Sequence, residues 1–204
     1  MISRITNRGL PLIIHRSAAG WIRHLILLVA ATVLVAACDS RGTIYNPKGI
    51  AVDRLIALKD SGKGVIDYPN GEKLGPDAVI DIDCEIWIPA ARPDVIRKDN
   101  VNRLKTKLVP QGANIPFTPE AERILHEKGT LVIPDFIANA GGVICASVEY
   151  HGGTETQAFA TIEEKIGANT SVVLSESAKT KTLPREAAVA LAERRVRNAM
   201  GYHR

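Results

Sequence analysis

The chain reads as an α/β protein built on a doubly wound, mostly parallel sheet, and three observations carry that reading. The first is composition: 46% of the 204 residues are hydrophobic and only 4% aromatic. Ala, Val, Ile and Gly are plentiful, which suits buried parallel strands lined by small and β-branched side chains. The second is the apolar run Val33-Leu34-Val35-Ala36-Ala37-Cys38, which ends in Asp39 as a strand buried on both faces would. The third is a theme repeated in the second half: a strand end, a turn carrying a small polar group, and a helix start. It occurs in Leu108-Val109-Pro110-Gln111-Gly112-Ala113-Asn114, in Ile133-Pro134-Asp135 and in Ala138-Asn139-Ala140-Gly141-Gly142-Val143. A chain of this length buries a sizeable core, so a single main domain is expected.

The amino terminus differs from the rest. Residues 1–38 hold Arg4, Arg8, Arg16 and Arg23 and no acid. Those four removed from 26 basic residues leave 22, against 22 acids, so the formal charge of +4 comes wholly from the leader. A neutral body gives no nucleic-acid footprint. Residues 1–32 are accordingly set apart as an atypical basic and apolar leader, with residues 33–204 as the domain. One alternative remains for the leader. The apolar Leu25–Val35 followed by Ala36-Ala37-Cys38 also fits a lipoprotein signal, with Cys38 lipidated after cleavage. The same run is too short for a single membrane span. The expectation is a core strand with an unmodified Cys38 in a cytoplasmic protein; a chain anchored to a membrane at Cys38 is the alternative. Cys38, Cys84 and Cys145 form no CxxC or Cys/His cluster, so each reads as a small buried hydrophobe, and neither they nor the five histidines have metal-ligand spacing.

Beyond Asp39, Val52–Lys59 has helical apolar spacing (Val52, Leu55, Ile56) and stops near Ser61-Gly62. Residues 64–75 read as a polar connection. Asp81–Ile88 then reads as a short strand leaving through Pro89-Ala90-Ala91, and Pro93 as the first residue of a short helix. Lys107-Leu108-Val109 is the next strand, with Gln111–Asn114 its outlet. Thr118 before Pro119 is a cap followed by a favoured first-turn proline, and that helix ends at Gly129. Thr130–Ile133 is a further strand. Helices follow from Asn139 to Glu149 and from Thr154 to Ala168, then a connection over residues 173–182, then an amphipathic closing helix from Pro184 to Met200.

Strand exits of this kind are where a nucleotide cofactor lies in doubly wound sheets. Asp39, at a strand end, matches the acid that hydrogen-bonds an adenosine ribose; a helix cap or turn acid would look the same. Beside it, Ser40 and Arg41 could hold a 2′-phosphate, so NAD and NADP both stay open. Pro89, Ala90 and Ala91 form a turn small enough for close ligand approach, though any tight turn shares that composition. Asn114 offers a donor and an acceptor together, which suits a carboxamide or a ribose, with turn closure as the plain alternative. Asn139 has a similar claim. Gly141 and Gly142 read as needed for close helix packing. The fingerprint G-x-G-x-x-G belongs about 20 residues before the ribose acid. There the chain reads Ile13-Ile14-His15-Arg16-Ser17-Ala18, so the first βα turn is missing or corrupted.

These pieces, in order and spacing, resemble the carboxyl-terminal domain of the glutamate/leucine/phenylalanine/valine dehydrogenases from about Val33 to about Met200. The segment Asp39-Ser40-Arg41-Gly42-Thr43-Ile44-Tyr45-Asn46-Pro47-Lys48-Gly49 is especially similar. The resemblance implies a Rossmann-like domain binding NAD or NADP. Its substrate pair would be an amino acid and its 2-oxo acid, and its assembly a hexamer-like homo-oligomer. It implies that Asn114 lies beside the nicotinamide end and that Pro89–Ala91 pass the cofactor ribose. Ala146, with Ser147 next to it, falls where glutamate-type members carry a substrate-binding serine, and the alanine puts glutamate itself in doubt. The family's acid/base lysine and aspartate belong to a separate amino-terminal domain. No Gly-Gly-x-Lys segment occurs in these 204 residues, so no catalytic residue is assigned and a fragment, inactive alone, is expected. A non-catalytic paralogue that keeps the fold is the other possibility.

Overall fold

The structure, a computed structural model, describes residues 41–201 and the backbone of residues 35–39. The expectations for the leader, for the side chains of Cys38 and Asp39 and for Ser40 lie outside the described residues. The fold is α/β, as expected. The chain divides into two compact units, Met1–Leu131 and Val132–Arg204.

In the first unit, β1 (Val35–Asp39), β2 (Gly42–Tyr45) and β3 (Glu72–Leu74) form a three-stranded sheet in that order. The pairing described for β1 is antiparallel, with Val35 opposite Tyr45 and Ala36 opposite Ile44. The run ending in Asp39 was expected to pair in parallel. Two residues separate β1 from β2, and a parallel partner needs a crossover of about a dozen residues or more, so the nearest strand can only return as a hairpin. Strand β3 also corrects the expectation of a plain connection over residues 64–75. Its Leu74 lies opposite Thr43 and its Glu72 opposite Tyr45.

Helix α1 (Val52–Asp60) forms where the apolar spacing predicts it and buries Leu55. Leu55 joins Ile44, Ile50, Val65 and Tyr68 in one core cluster. Tyr68 keeps its hydroxyl satisfied there by accepting the Ala51 N–H at 3.1 Å. The helix ends at Ser61, and Gly62 supplies the left-handed φ of 80° that the reversal needs.

The small size of Gly42 is imposed by β3. A Cβ built on it would lie 2.5 Å from the Leu74 carbonyl oxygen and 2.5 Å from Ile66 Cδ1. Backbone cannot give way as a side-chain tip can. Gly42→Ala is therefore expected to destabilise the protein by about 1–3 kcal/mol in urea unfolding. A loss under about 0.5 kcal/mol, the ordinary range for surface changes, would show that β2 and β3 separate freely.

Residues 81–88 do not form the expected strand. A single parallel bridge joins Ile86 to Leu108, with Trp87 N–H donating to Leu108 O at 3.0 Å and Lys107 and Leu108 N–H both donating to Glu85 O. Pro89, which has no N–H to offer, stops the ladder from lengthening. Nor does a helix start at Pro93. Asp94 takes φ 51° and gives its N–H to Ile115 O at 2.9 Å, which removes it from any helical turn. Helical character comes later, as the single 3₁₀ turn Val101–Arg103.

Strand β4 (Leu108–Pro110), helix α2 (Pro119–Glu127) and β5 (Leu131–Ile133) form a strand-helix-strand unit whose two strands run parallel. The first unit ends at the first residue of β5, where Leu131 N–H donates to Lys107 O at 2.9 Å. Helix α2 begins and ends as read. Thr118 accepts the Ala121 N–H, Pro119 occupies the first turn, and Gly129 closes the helix at φ 81°.

The second unit is helical after β5: α3 (Asp135–Ala138), α4 (Gly141–Tyr150), α5 (Glu155–Thr180) and α6 (Pro184–Gly201). The helix expected from Asn139 to Glu149 forms as α4, starting at Gly141, and the short α3 before it was not expected. The helix expected over 154–168 runs on to Thr180, through residues read as a connection. Val173 and Ser177 are buried along that extension, and burial outweighs the weak helix propensity of its serines and threonines. Lys181, at φ 55°, ends it. At the other end Thr154 and Gln157 form a reciprocal cap, Gln157 Oε1 accepting the Thr154 N–H at 2.7 Å. Val173 packs with Ile137, Ala187, Ala188 and Leu191 as the core of this unit.

Candidate functional site

Two of the expected site segments meet in the first unit. Pro89 O accepts the N–H of Gly112 at 3.0 Å and of Ala113 at 2.7 Å. The Pro89–Ala91 turn and the Gly112–Asn114 outlet are therefore one structure. A side chain on Gly112 would put its Cβ 3.1 Å from the Ala90 Cβ, so both positions must stay small for the strand exits to come this close. Pro89 and Ala113 are buried, Ala90 is half-buried, and Ala91 and Asn114 are exposed. The sequence marks these residues by type alone; the fold joins them.

The walls of this cluster are well fixed. Ile115, next to Asn114, adopts φ 48°, an outlier for a β-branched residue. The chain continues by pairing with Ile96, whose N–H donates to Pro116 O at 3.1 Å and whose carbonyl accepts the Thr118 N–H at 3.0 Å. Beneath lies Phe117, fully buried and stacked on Trp87 with ring centroids 6.1 Å apart. Gln111 and Glu122, buried polar residues missed in the sequence, hydrogen-bond to each other under the outlet at 2.6 Å. A polar residue directly before a glycine turn was the one signal for Gln111, and nothing local marks Glu122.

Beside the turn lies a cleft of about 390 Å³ lined by Arg92, Asp94, Arg97, Asp99, Asn100 and Arg103, among others. Its arginines are largely committed, since Arg97 pairs with Asp99 at 3.2 Å and Arg103 with Asp81 at 2.7 Å. These guanidinium groups hold both carboxyls below their ordinary range, through hydrogen bonds first. The cleft is thus close to charge-balanced.

Near the other candidate end, Arg41 donates to Asp67 Oδ2 at 2.8 Å. That bond, with the Gly64 N–H at 2.9 Å on the same oxygen, lowers the Asp67 pKa. Arg41, read as a possible 2′-phosphate ligand, thus has a carboxylate partner already.

In the second unit, Asn139 follows α3, half-buried, with its N–H on Asp135 O at 2.7 Å. Ala146 and Ser147 lie exposed on α4, just past buried Cys145. Gly141 meets Ile162 of α5, whose Cγ2 would lie 3.6 Å from an added Cβ, while nothing stands within 4 Å of Gly142. The contact at Gly141 is an ordinary van der Waals one, so close packing demands glycine at neither position, against the expectation. Burial pushes the Cys84 thiol up to about 11 and raises that of Cys145 as well, so both stay protonated at neutral pH, as small hydrophobes do. Among the described residues, no group of three or more His, Cys, Asp or Glu is placed to hold a metal ion, and no helix is long and apolar enough to cross a membrane.

An α/β chain with small-residue turns clustered at its strand exits has the form of a dehydrogenase domain, and its sequence agrees. The chain belongs to the glutamate/leucine/phenylalanine/valine dehydrogenase family, whose sequence model matches residues 18–204. The match begins upstream of Val33, where the resemblance was expected to start. Its relatives include the glutamate dehydrogenase of Aeropyrum pernix, 38% identical over 177 residues that make up 82% of this chain and 42% of that protein. The glutamate dehydrogenase of Thermotoga maritima is 45% identical over 117 residues, 57% of this chain and 28% of that protein. In structure, the hetero-hexameric glutamate dehydrogenase of Thermus thermophilus matches with a TM-score of 0.78 at 23% identity, over 94% of this chain and 47% of that one. That likeness shows the Rossmann-like fold. The chain spans less than half the length of each of these proteins.

Proposed function

We propose that this chain is the cofactor-binding part of an NAD(P)-dependent amino-acid dehydrogenase of the glutamate type, which converts an amino acid to a 2-oxo acid and ammonia. The observation that carries the reading is the pair of bonds from Pro89 O to Gly112 and Ala113. They bring two small-residue strand exits together and leave the Asn114 carboxamide exposed at the edge. A dinucleotide needs close backbone approach and a few well-placed polar groups, and this cluster offers both.

When bound, the nicotinamide ring would take the hydride from the substrate carbon. The chain's own residues hold and orient. Asn114 donates to and accepts from the carboxamide or ribose at the nicotinamide end, and Ala90 and Ala91 let the ribose pass. Asp39 and Ser40 engage the adenosine ribose, and Asn139 adds a second carboxamide. Exposed Ala146 and Ser147 border the substrate carboxylate, where an alanine in the serine position favours a substrate other than glutamate. The Arg41–Asp67 pair favours NAD, because the carboxylate 2.8 Å from that guanidinium offsets part of the positive charge a 2′-phosphate would meet. We read the full enzyme as a hexamer-like homo-oligomer in the cytoplasm, although the Thermus thermophilus relative is a hetero-hexamer.

Calorimetric titration of the chain with NADH and NADPH tests the assignment. Asp39→Ala and Asn114→Ala are each expected to weaken NADH binding by roughly fivefold or more, the loss of about one well-made hydrogen bond or charge-assisted bond. NADPH is expected to bind more weakly than NADH. Equal NADH affinity in all three proteins removes both residues from the site.

A further inference from the structure

Two buried polar side chains lie under the turn that presents Asn114, and packing alone does not explain them. Gln111 is fully buried and Glu122, on α2, nearly so. Gln111 Nε2 donates to Glu122 Oε1 at 2.6 Å. An apolar pair would fill the same space with less desolvation cost. A few residues along, Ile115 holds φ 48°. A β-branched residue stays in the left-handed region only where its surroundings over-determine it. One restraint is the Asp94 N–H on Ile115 O at 2.9 Å, and others are the Gly112 and Ala113 bonds to Pro89 O. A further one is Gln111, the residue that leads into the turn, whose side chain is tied to α2. Cut that tie, and the strain at Ile115 pulls the turn toward an extended shape, carrying Asn114 with it.

We propose that Glu122 is a positioning residue: through Gln111 it clamps the strained Gly112–Ile115 turn and so fixes the Asn114 carboxamide toward the nicotinamide end of a dinucleotide. The ligand in this inference rests on the cofactor reading above; the clamp does not.

The test uses the full chain at a temperature where every variant is folded, with NADH as the probe. Glu122→Gln keeps an oxygen acceptor for Gln111 and is expected to bind NADH within about twofold of the unmodified chain. Glu122→Met removes the acceptor at similar length. Its Kd is expected to rise about tenfold, because apparent affinity falls with the fraction of turns in the competent shape. Adding Ile115→Gly to Glu122→Met removes the strain that drives relaxation and should restore most of the affinity. A side chain needed only for stability would show no such recovery. Hydrogen exchange supplies a readout that needs no cofactor. The Ala113 and Asn114 amides should exchange faster in Glu122→Met and slow again in the double variant. If the chain binds no NADH but this exchange pattern appears, the cofactor reading falls and the clamp stands. Unchanged exchange in Glu122→Met overturns the clamp, as does an equal NADH loss in Glu122→Gln and Glu122→Met. Should Glu122→Met not fold, Gln111→Met breaks the same bond from its other end and is read in the same two ways.

Discussion

The 204-residue chain, purified alone, is expected to show no amino-acid-dependent reduction of NAD or NADP. Oxidative deamination needs a base for the amino group and a clamp for the carboxylate, besides a place for the cofactor. A positioned acid/base group typically contributes about 10²–10⁴-fold by itself. A lysine can do this work when burial and neighbouring charge depress its pKa. The one lysine flanked by glycines here is Lys63; it is exposed, and its backbone N–H closes the end of α1 on Leu58 O at 3.2 Å. It belongs to a helix end, not to a cleft. The measurement is NADH formation at 340 nm with glutamate, leucine, phenylalanine and valine, each at high concentration. Robust turnover with any of them would overturn the reading of this chain as a cofactor-binding part, and would demand a base among its own residues.

The largest stability effect is expected at Arg185. At the start of α6 it pairs with Asp135, the first residue of α3, at 2.9 Å. The Asp135 side chain is only 8% exposed and that of Arg185 28%. The guanidinium also lies 5.6 Å from the centre of the Phe136 ring. Arg185→Met leaves a carboxylate in a poorly hydrated place without its cation, which costs roughly 3–5 kcal/mol in comparable buried pairs. Asp135→Leu combined with Arg185→Met should recover most of that loss, since the cost lies in the orphaned charge rather than in the absence of the pair. Urea unfolding measures both, and the midpoint should move without a change in slope. A loss below about 1 kcal/mol in Arg185→Met would place the pair with ordinary surface ion pairs.

Local chemistry made much of this protein legible. Thr118, Pro119 and Gly129 bound α2 because a cap, a first-turn proline and a left-handed stop act within a few residues of one another. Helix α1 was legible from its apolar spacing and the left-handed stop at Gly62, and α6 from its start at Pro184. Where long-range packing decides, the sequence misleads. The serines and threonines after Gly167 look like a connection, yet they are helical because Val173 and Ser177 find buried places against the rest of that unit. Asp81–Ile88 has the composition of a strand, but its bonds to the next strand make a single bridge, at Ile86. β3 has almost no strand signal in Glu72-Lys73-Leu74, and it exists because β2 presents a free edge.

Taken alone, the order and spacing of the turns determined the fold class, the family and the identity of the small residues at the strand exits. The sequence could name Pro89–Ala91 and Gly112–Asn114 because tight turns demand particular residue types wherever they occur. Only the tertiary structure decided that these turns share the Pro89 carbonyl, that Arg41 is held by Asp67, and that Glu122 reaches Gln111 beneath the outlet. Each of these joins residues that no helical or strand period relates. Such contacts form when a strand exit, a loop and a helix are packed together, and a periodic pattern along the chain carries no record of them.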